Sequence, residues 1–213
     1  MRLLLIASLF CSFAASATSV DPDDSEAFVQ QALTTEEIVV QGRRNLSRNI
    51  KKGFAAFRAR EFEQAEKYFF RVRSKYELQA LITYEAYADM WSPANLTGAI
   101  GITTNNKDWE VRKALSIIHY MEGMSQRAQG NTLAARGSFK RALNMNPTHF
   151  DARADLALVE IENGEAERST KHIKRLAKDL QRCDAAKSAD KCGAVKDRLW
   201  QVELAYGNAL SSN

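Results

Sequence analysis

Cysteine, proline and histidine each occur only three times in the 213 residues, and each scarcity removes a class of protein. Three cysteines are too few for a fold founded on disulfides. Cys183 and Cys192, nine positions apart with no histidine nearby, supply only two of the four ligands that a tetrahedral zinc site needs. The histidines, His119, His149 and His172, are scattered and read as structural, so neither metal nor cofactor is expected. The common catalytic and nucleotide-binding signatures are missing as well: there is no GxGxxG, no glycine-rich phosphate loop with lysine, no HExxH and no GxSxG elbow. A binding protein is therefore expected rather than an enzyme. Few prolines, 9% aromatics and 45% hydrophobic residues suit a well-packed chain of helices.

What is present begins at the N-terminus. Arg2 makes a positive n-region, Leu3 to Phe13 an apolar stretch, and Ala15-Ser16-Ala17 a small-residue cleavage site, which together read as a signal peptide over 1–17 with the mature chain starting at Thr18. The apolar stretch falls short of the roughly 20 residues that cross a bilayer, and no later run approaches that length, so no membrane span is expected. Export removes Cys11 and leaves Cys183 and Cys192 as an even pair in an oxidising compartment, where they form one disulfide. Closing so short a loop contributes about 2–3 kcal/mol, a local brace.

Charge is unevenly placed. Lys and Arg number 30 and Asp and Glu 26; setting aside Arg2 and six early acids (Asp21, Asp23, Asp24, Glu26, Glu36, Glu37) leaves 29 against 20, a body of net +9. Such a body favours acidic partners. An exported protein seldom meets nucleic acid, so an anionic envelope polymer or acidic peptide fits better. Basic residues such as Lys171, Lys174, Arg175 and Lys178 follow helical spacing and serve equally as a solvated face. Residues 18–44, acidic, polar and interrupted by Pro22, read as a disordered leader. Within it, Glu36-Glu37-Ile38-Val39-Val40-Gln41-Gly42 resembles the TonB box of bacterial outer-membrane receptors, a short peptide that adds a strand to a periplasmic partner.

From residue 45 the apolar period becomes helical. Ala135, Phe139 and Ala142 fall on one helix face, Gly123 and Gly130 precede them and Pro147 closes the unit. Gly53, Ala65 and Phe69 stand 70 residues before Gly123, Ala135 and Phe139, and 34 residues after Gly123 and Gly130 come Ala157 and Gly164. This pattern resembles the tetratricopeptide repeat, of roughly 34 residues. In that family a small residue lets two helices approach, a glycine turns the chain, an Ala-x3-Phe pair packs between helices and a proline ends the second helix. The resemblance implies an all-α, right-handed solenoid of helical hairpins. Four units are expected at about 45–79, 80–114, 115–148 and 149–182, followed by a capping helix over 183–213 that the disulfide ties back. The second unit is degenerate: it comprises a helix from Glu77 to Trp91, a Ser92-Pro93 start and a polar loop at Asn105 to Lys107, with Asp108 as the next N-cap. The fourth should open at Thr148, with Asp151 completing a capping box. His119, Glu122 and Gln126 depart from the family's preferred Trp, Leu and Tyr.

By register with the family, the concave surface is lined by Ile50, Phe54, Phe57, Arg58, Tyr120, Met124, Arg127, Ala154, Leu158 and Ile161, and binds a protein or peptide. Helix-to-helix packing competes as the role of the apolar ones. An envelope-assembly or polysaccharide-contacting helper that uses the basic body is the alternative function. Signal peptide and TonB-box resemblance together point to a bacterial periplasm. The protein recovered after export should lack residues 1–17 and lose two mass units' worth of protons to one disulfide; intact-mass measurement with and without reductant checks both, and two free thiols would contradict the pairing.

Overall fold

The computed structural model describes residues 22–33, 40–74, 106–185 and 189–211, and among them every element is a helix. In chain order these are α1 (Pro22–Leu33), α2 (Val40–Arg58), α3 (62–74), α4 (Asn106–Ala128), α5 (Thr132–Met145), α6 (Phe150–Glu162), α7 (Ala166–Ala185) and α8 (Ala189–Ser211). Three hairpins follow from them: α2 with α3, α4 with α5, and α6 with α7. They stack as a helical-repeat solenoid.

The hairpin turns share one geometry. After α4 the Gly130 N–H donates to the Arg127 carbonyl and the Asn131 N–H to the Gln126 carbonyl, both at 2.9 Å. After α6 the Gly164 and Glu165 N–H groups repeat this on Ile161 and Glu160 at 2.9 and 2.8 Å, with Gly130 and Gly164 at φ +79° and +76°. These are Schellman caps, in which a left-handed residue turns the chain while satisfying the last helical carbonyls. After α2 the same pair of bonds forms from Arg60 and Glu61, but Arg60 takes the left-handed position itself, at φ 60°. The first repeat lacks the turn glycine yet keeps its conformation.

Within the first two hairpins the helices meet at a glycine beneath an aromatic ring. A Cβ on Gly53 would lie 2.8 Å from the Phe69 ring, and one on Gly123 would lie 2.6 Å from Phe139. Phe69 and Phe139 are fully buried. Phe54 meets Phe69 edge-on at 5.3 Å between centroids, and Tyr120 lies 5.8 Å from Phe139. In the third hairpin Ala157 replaces the glycine, and the narrower Ile173 stands where the ring would be; both belong to one apolar cluster with Leu176, Leu199 and Val202. The added methyl and the lost ring offset one another in volume.

Three expectations need correction. The leader over 18–44 is not wholly disordered: α1 lies inside it, and α2 begins at Val40 rather than 45. Pro22 opens α1 at a position where its missing N–H is harmless, and Val29, Ala32 and Leu33 bury an apolar stripe. Val40 to Gly42, the end of the TonB-box-like segment, are helical rather than extended; residues 34–39, like the signal peptide expected at 1–17, lie outside the described residues. Most of the unit placed at 80–114 lies outside the described residues. Although residues 75–105 lie outside the described residues, α3 packs directly on α4. Arg73 pairs with Glu122 at 3.1 Å, and Gln126 donates to Glu66 at 2.9 Å.

Finally, two caps move. α4 begins at Asn106, two residues before Asp108. α6 is capped by His149, whose Nδ1 accepts from the Ala152 N–H at 3.3 Å, while Thr148 turns to the Asn146 side chain. Asp151 is drawn inward to Arg198 at 3.2 Å, because a buried guanidinium needs a carboxylate more than an exposed cap does.

Two substitutions separate the two reasons for glycine. Gly123→Ala should destabilise by about 1–3 kcal/mol despite better helix propensity, because its methyl collides with Phe139. Arg60→Gly should stabilise by about 1 kcal/mol by relieving a left-handed side chain. Chemical denaturation measures both, and equal signs would contradict the assignment.

Candidate partner-binding surface

The first helices of the hairpins, α2, α4 and α6, present the surface on which the family register places a partner. Four of the ten expected lining residues are not on it: Ile50, Phe54, Tyr120 and Ala154 are buried. They fill the interior because each is drawn into the apolar packing between helices or, for Tyr120, into an internal hydrogen bond. Phe57, Met124, Leu158 and Ile161 are half-buried against the core clusters and retain some accessible surface. Arg58 and Arg127 are both engaged in ion pairs. The Arg58 guanidinium spans Asp23 at 2.6 Å and Glu26 at 2.9 Å, which fastens the start of α1 to the end of α2.

Helix α1 packs against both α2 and α4. Its Val29 and Leu33 join the cluster that contains Leu46, Ile50, Phe54 and Met121, and Gln30 donates to the Ser47 carbonyl at 2.9 Å. An amphipathic helix from the same chain therefore already lies across two successive first helices. Sequence reasoning missed it because α1 was weighed by its acids and its proline; the signal present was the spacing of Phe28, Val29, Ala32 and Leu33.

Further along, the first helices are joined by a buried charged network. Asp155, fully inside α6, accepts from Tyr120 at 3.0 Å and from Arg127 at 2.7 Å, and it pairs with Arg198 of α8. Arg198 also reaches Asp151 at 3.2 Å, so two aspartates face two arginines. Burial alone would depress Arg198, but Asp155 and Asp151 outweigh it and raise its pKa. Burial and the same two carboxylates push the Tyr120 phenol well above its ordinary value, which keeps it a proton donor to Asp155. The three residues that depart from the family pattern also lie inside. Glu122 meets Arg73 and lies 3.6 Å from His119, and Gln126 accepts from Ser138 at 2.8 Å. Burial would raise the Glu122 pKa, yet His119 and Arg73 hold it lower on balance.

The basic run of α7 is partly neutralised: Asp179 lies within 3.4 Å of Arg175 and 3.8 Å of Arg182. Among the described residues no group of three potential metal ligands converges, and no helix is long and apolar enough to cross a membrane. Cys183 and Cys192 are joined, with their Cα atoms 5.4 Å apart, and link α7 to α8.

The network gives a pH signature. His149 packs 4.9 Å from Tyr120, and burial, aided by the Arg198 charge, pushes its pKa down to about 4. Because the folded state favours the neutral ring, its contribution is present above the unfolded value near 6.5 and is lost as pH falls towards 4, by about 3 kcal/mol at most. Thermal stability should fall across that window, and His149→Asn, which keeps an acceptor at the cap but does not titrate, should flatten part of the fall. An unchanged slope would contradict the neutral cap.

Residues 126–189, from the last turn of α4 through α5, α6 and α7 to the first residue of α8, match the family model described as Tetratricopeptide repeat. No curated protein and no solved structure matches the chain. The turns and small-residue contacts of α2 and α3 repeat those of the matched span, so the described residues form a tetratricopeptide-like stack of helical hairpins.

Proposed function

We propose that this chain is an exported scaffold, acting in a bacterial periplasm, that binds a protein or peptide through the surface of its first helices. The observation that carries the reading is α1: an amphipathic helix of the chain's own sequence rests on α2 and α4, so that surface has the shape and chemistry to receive a helix. Helix-in-groove recognition uses such apolar anchors at helical spacing. The Arg58 fork, which here holds Asp23 and Glu26, would select an acidic residue on the incoming helix. Export is supported by the N-terminal charge, apolar stretch and A-x-A site, and by a disulfide that needs an oxidising compartment. A helix of twelve residues is marginal by itself, so α1 competes weakly and a better-matched partner can displace it.

A photo-crosslinking residue at Met124 of the full chain, activated in the periplasm, tests this. Crosslinks to a second polypeptide are expected, with several-fold higher yield when Asp23→Ala and Glu26→Ala together loosen α1. Crosslinks confined to the chain itself, in both versions, would contradict the proposal.

A further inference from the structure

The last helix should close the stack, yet its outer face exposes Trp200 and Leu204 among charged residues. On α8, Val195, Arg198, Leu199 and Val202 are buried against α6 and α7, while Trp200 is 62% exposed and Leu204 44%. Gly193 and Gly207 lie on that same outer face, seven residues on either side of Trp200. Both are inside the helix, and a Cβ on either would meet nothing within 4 Å. Nothing within the described chain asks for glycine there, although glycine weakens a helix interior relative to alanine. Such residues are useful where another backbone comes close.

We propose that this face is a homodimer interface, in which α8 packs antiparallel against α8 of a second copy about a two-fold axis near Trp200. The face is self-complementary in three respects. An axis near Trp200 sets Gly193 of one copy opposite Gly207 of the other, at both ends of the contact. Lys196 and Glu203 lie on one flank of Trp200, both exposed and without an ion pair to another described residue. A two-fold axis across an antiparallel pair keeps each flank facing its own equivalent, so Lys196 meets the second copy's Glu203 twice over. Side chains on a helix lean towards its N-terminus, which carries each Trp200 ring away from the axis and onto the opposing Leu204. Isologous contacts of this kind place one patch against itself. A lipid surface is the other cover for an exposed tryptophan, but Asp197 and Glu203 on this face oppose an anionic membrane.

Sedimentation equilibrium of the full chain over a concentration series decides the matter. A monomer–dimer equilibrium is expected. Trp200→Glu should raise the dissociation constant at least about tenfold with little change in the monomer's thermal midpoint, because most of the Trp200 side chain is exposed in the monomer. Gly207→Gln should weaken the dimer while raising the monomer's stability. Lys196→Glu should weaken it too, and adding Glu203→Lys should restore it, an outcome that only this antiparallel register gives. A monomer at every concentration would overturn the proposal, as would a dimer insensitive to Trp200→Glu and Gly207→Gln. Failure of the charge swap to restore association would overturn the register.

Discussion

The solenoid depends on two helices coming closer than ordinary side chains permit. Gly53 and Gly123 leave out a Cβ at the point where Phe69 and Phe139 cross from the partner helix, and each ring fills the space so made. Interiors are close-packed, and a single methyl is felt. With the rings in place, Phe54 and Tyr120 have a surface to lean on, the Schellman turns close over a fixed crossing, and the first helices come into line as one face. The third hairpin reaches the same end with Ala157 and Ile173, so the constraint is summed volume at the crossing rather than one residue type.

Polar groups then set which helix sits where. Apolar faces alone would tolerate sliding, whereas Asp155 must meet Tyr120, Arg127 and Arg198 together, and these come from α4 and α8. Burying such charges is costly unless each is met, so a displaced helix would strand them. This explains why α4 carries His119, Glu122 and Gln126 where aromatic and aliphatic residues are usual for the family. They face α3 and α5 through Arg73, Glu66 and Ser138, and they hold the first hairpin against the second.

The repeats were legible in the sequence because their cause is local and periodic: glycine, alanine and phenylalanine recur at constant spacing, and the turn glycines fall where a left-handed residue is required. Arg60 shows the limit, since its position is occupied for conformation with no glycine to announce it. Helix α1 was hidden by composition: its acids serve Arg58 and its proline opens rather than breaks a helix. The lining residues were only half legible, because register names a helix face but does not say which positions on it the neighbouring helices cover. Ile50 and Phe54 are covered; Phe57 and Met124 remain at the margin. Arg198 could not be read at all, for its partners are more than forty positions away and follow no period.

The central claim is that glycine and aromatic ring at the crossing act as one unit. A double-mutant cycle on Gly123→Ala and Phe139→Leu, read by equilibrium denaturation, addresses it directly. The narrower leucine should make room for the alanine methyl, so the second substitution should cost less in the presence of the first, with a coupling of about 1 kcal/mol or more. Additivity within about 0.5 kcal/mol would mean that the two side chains do not share the crossing, and would contradict the account.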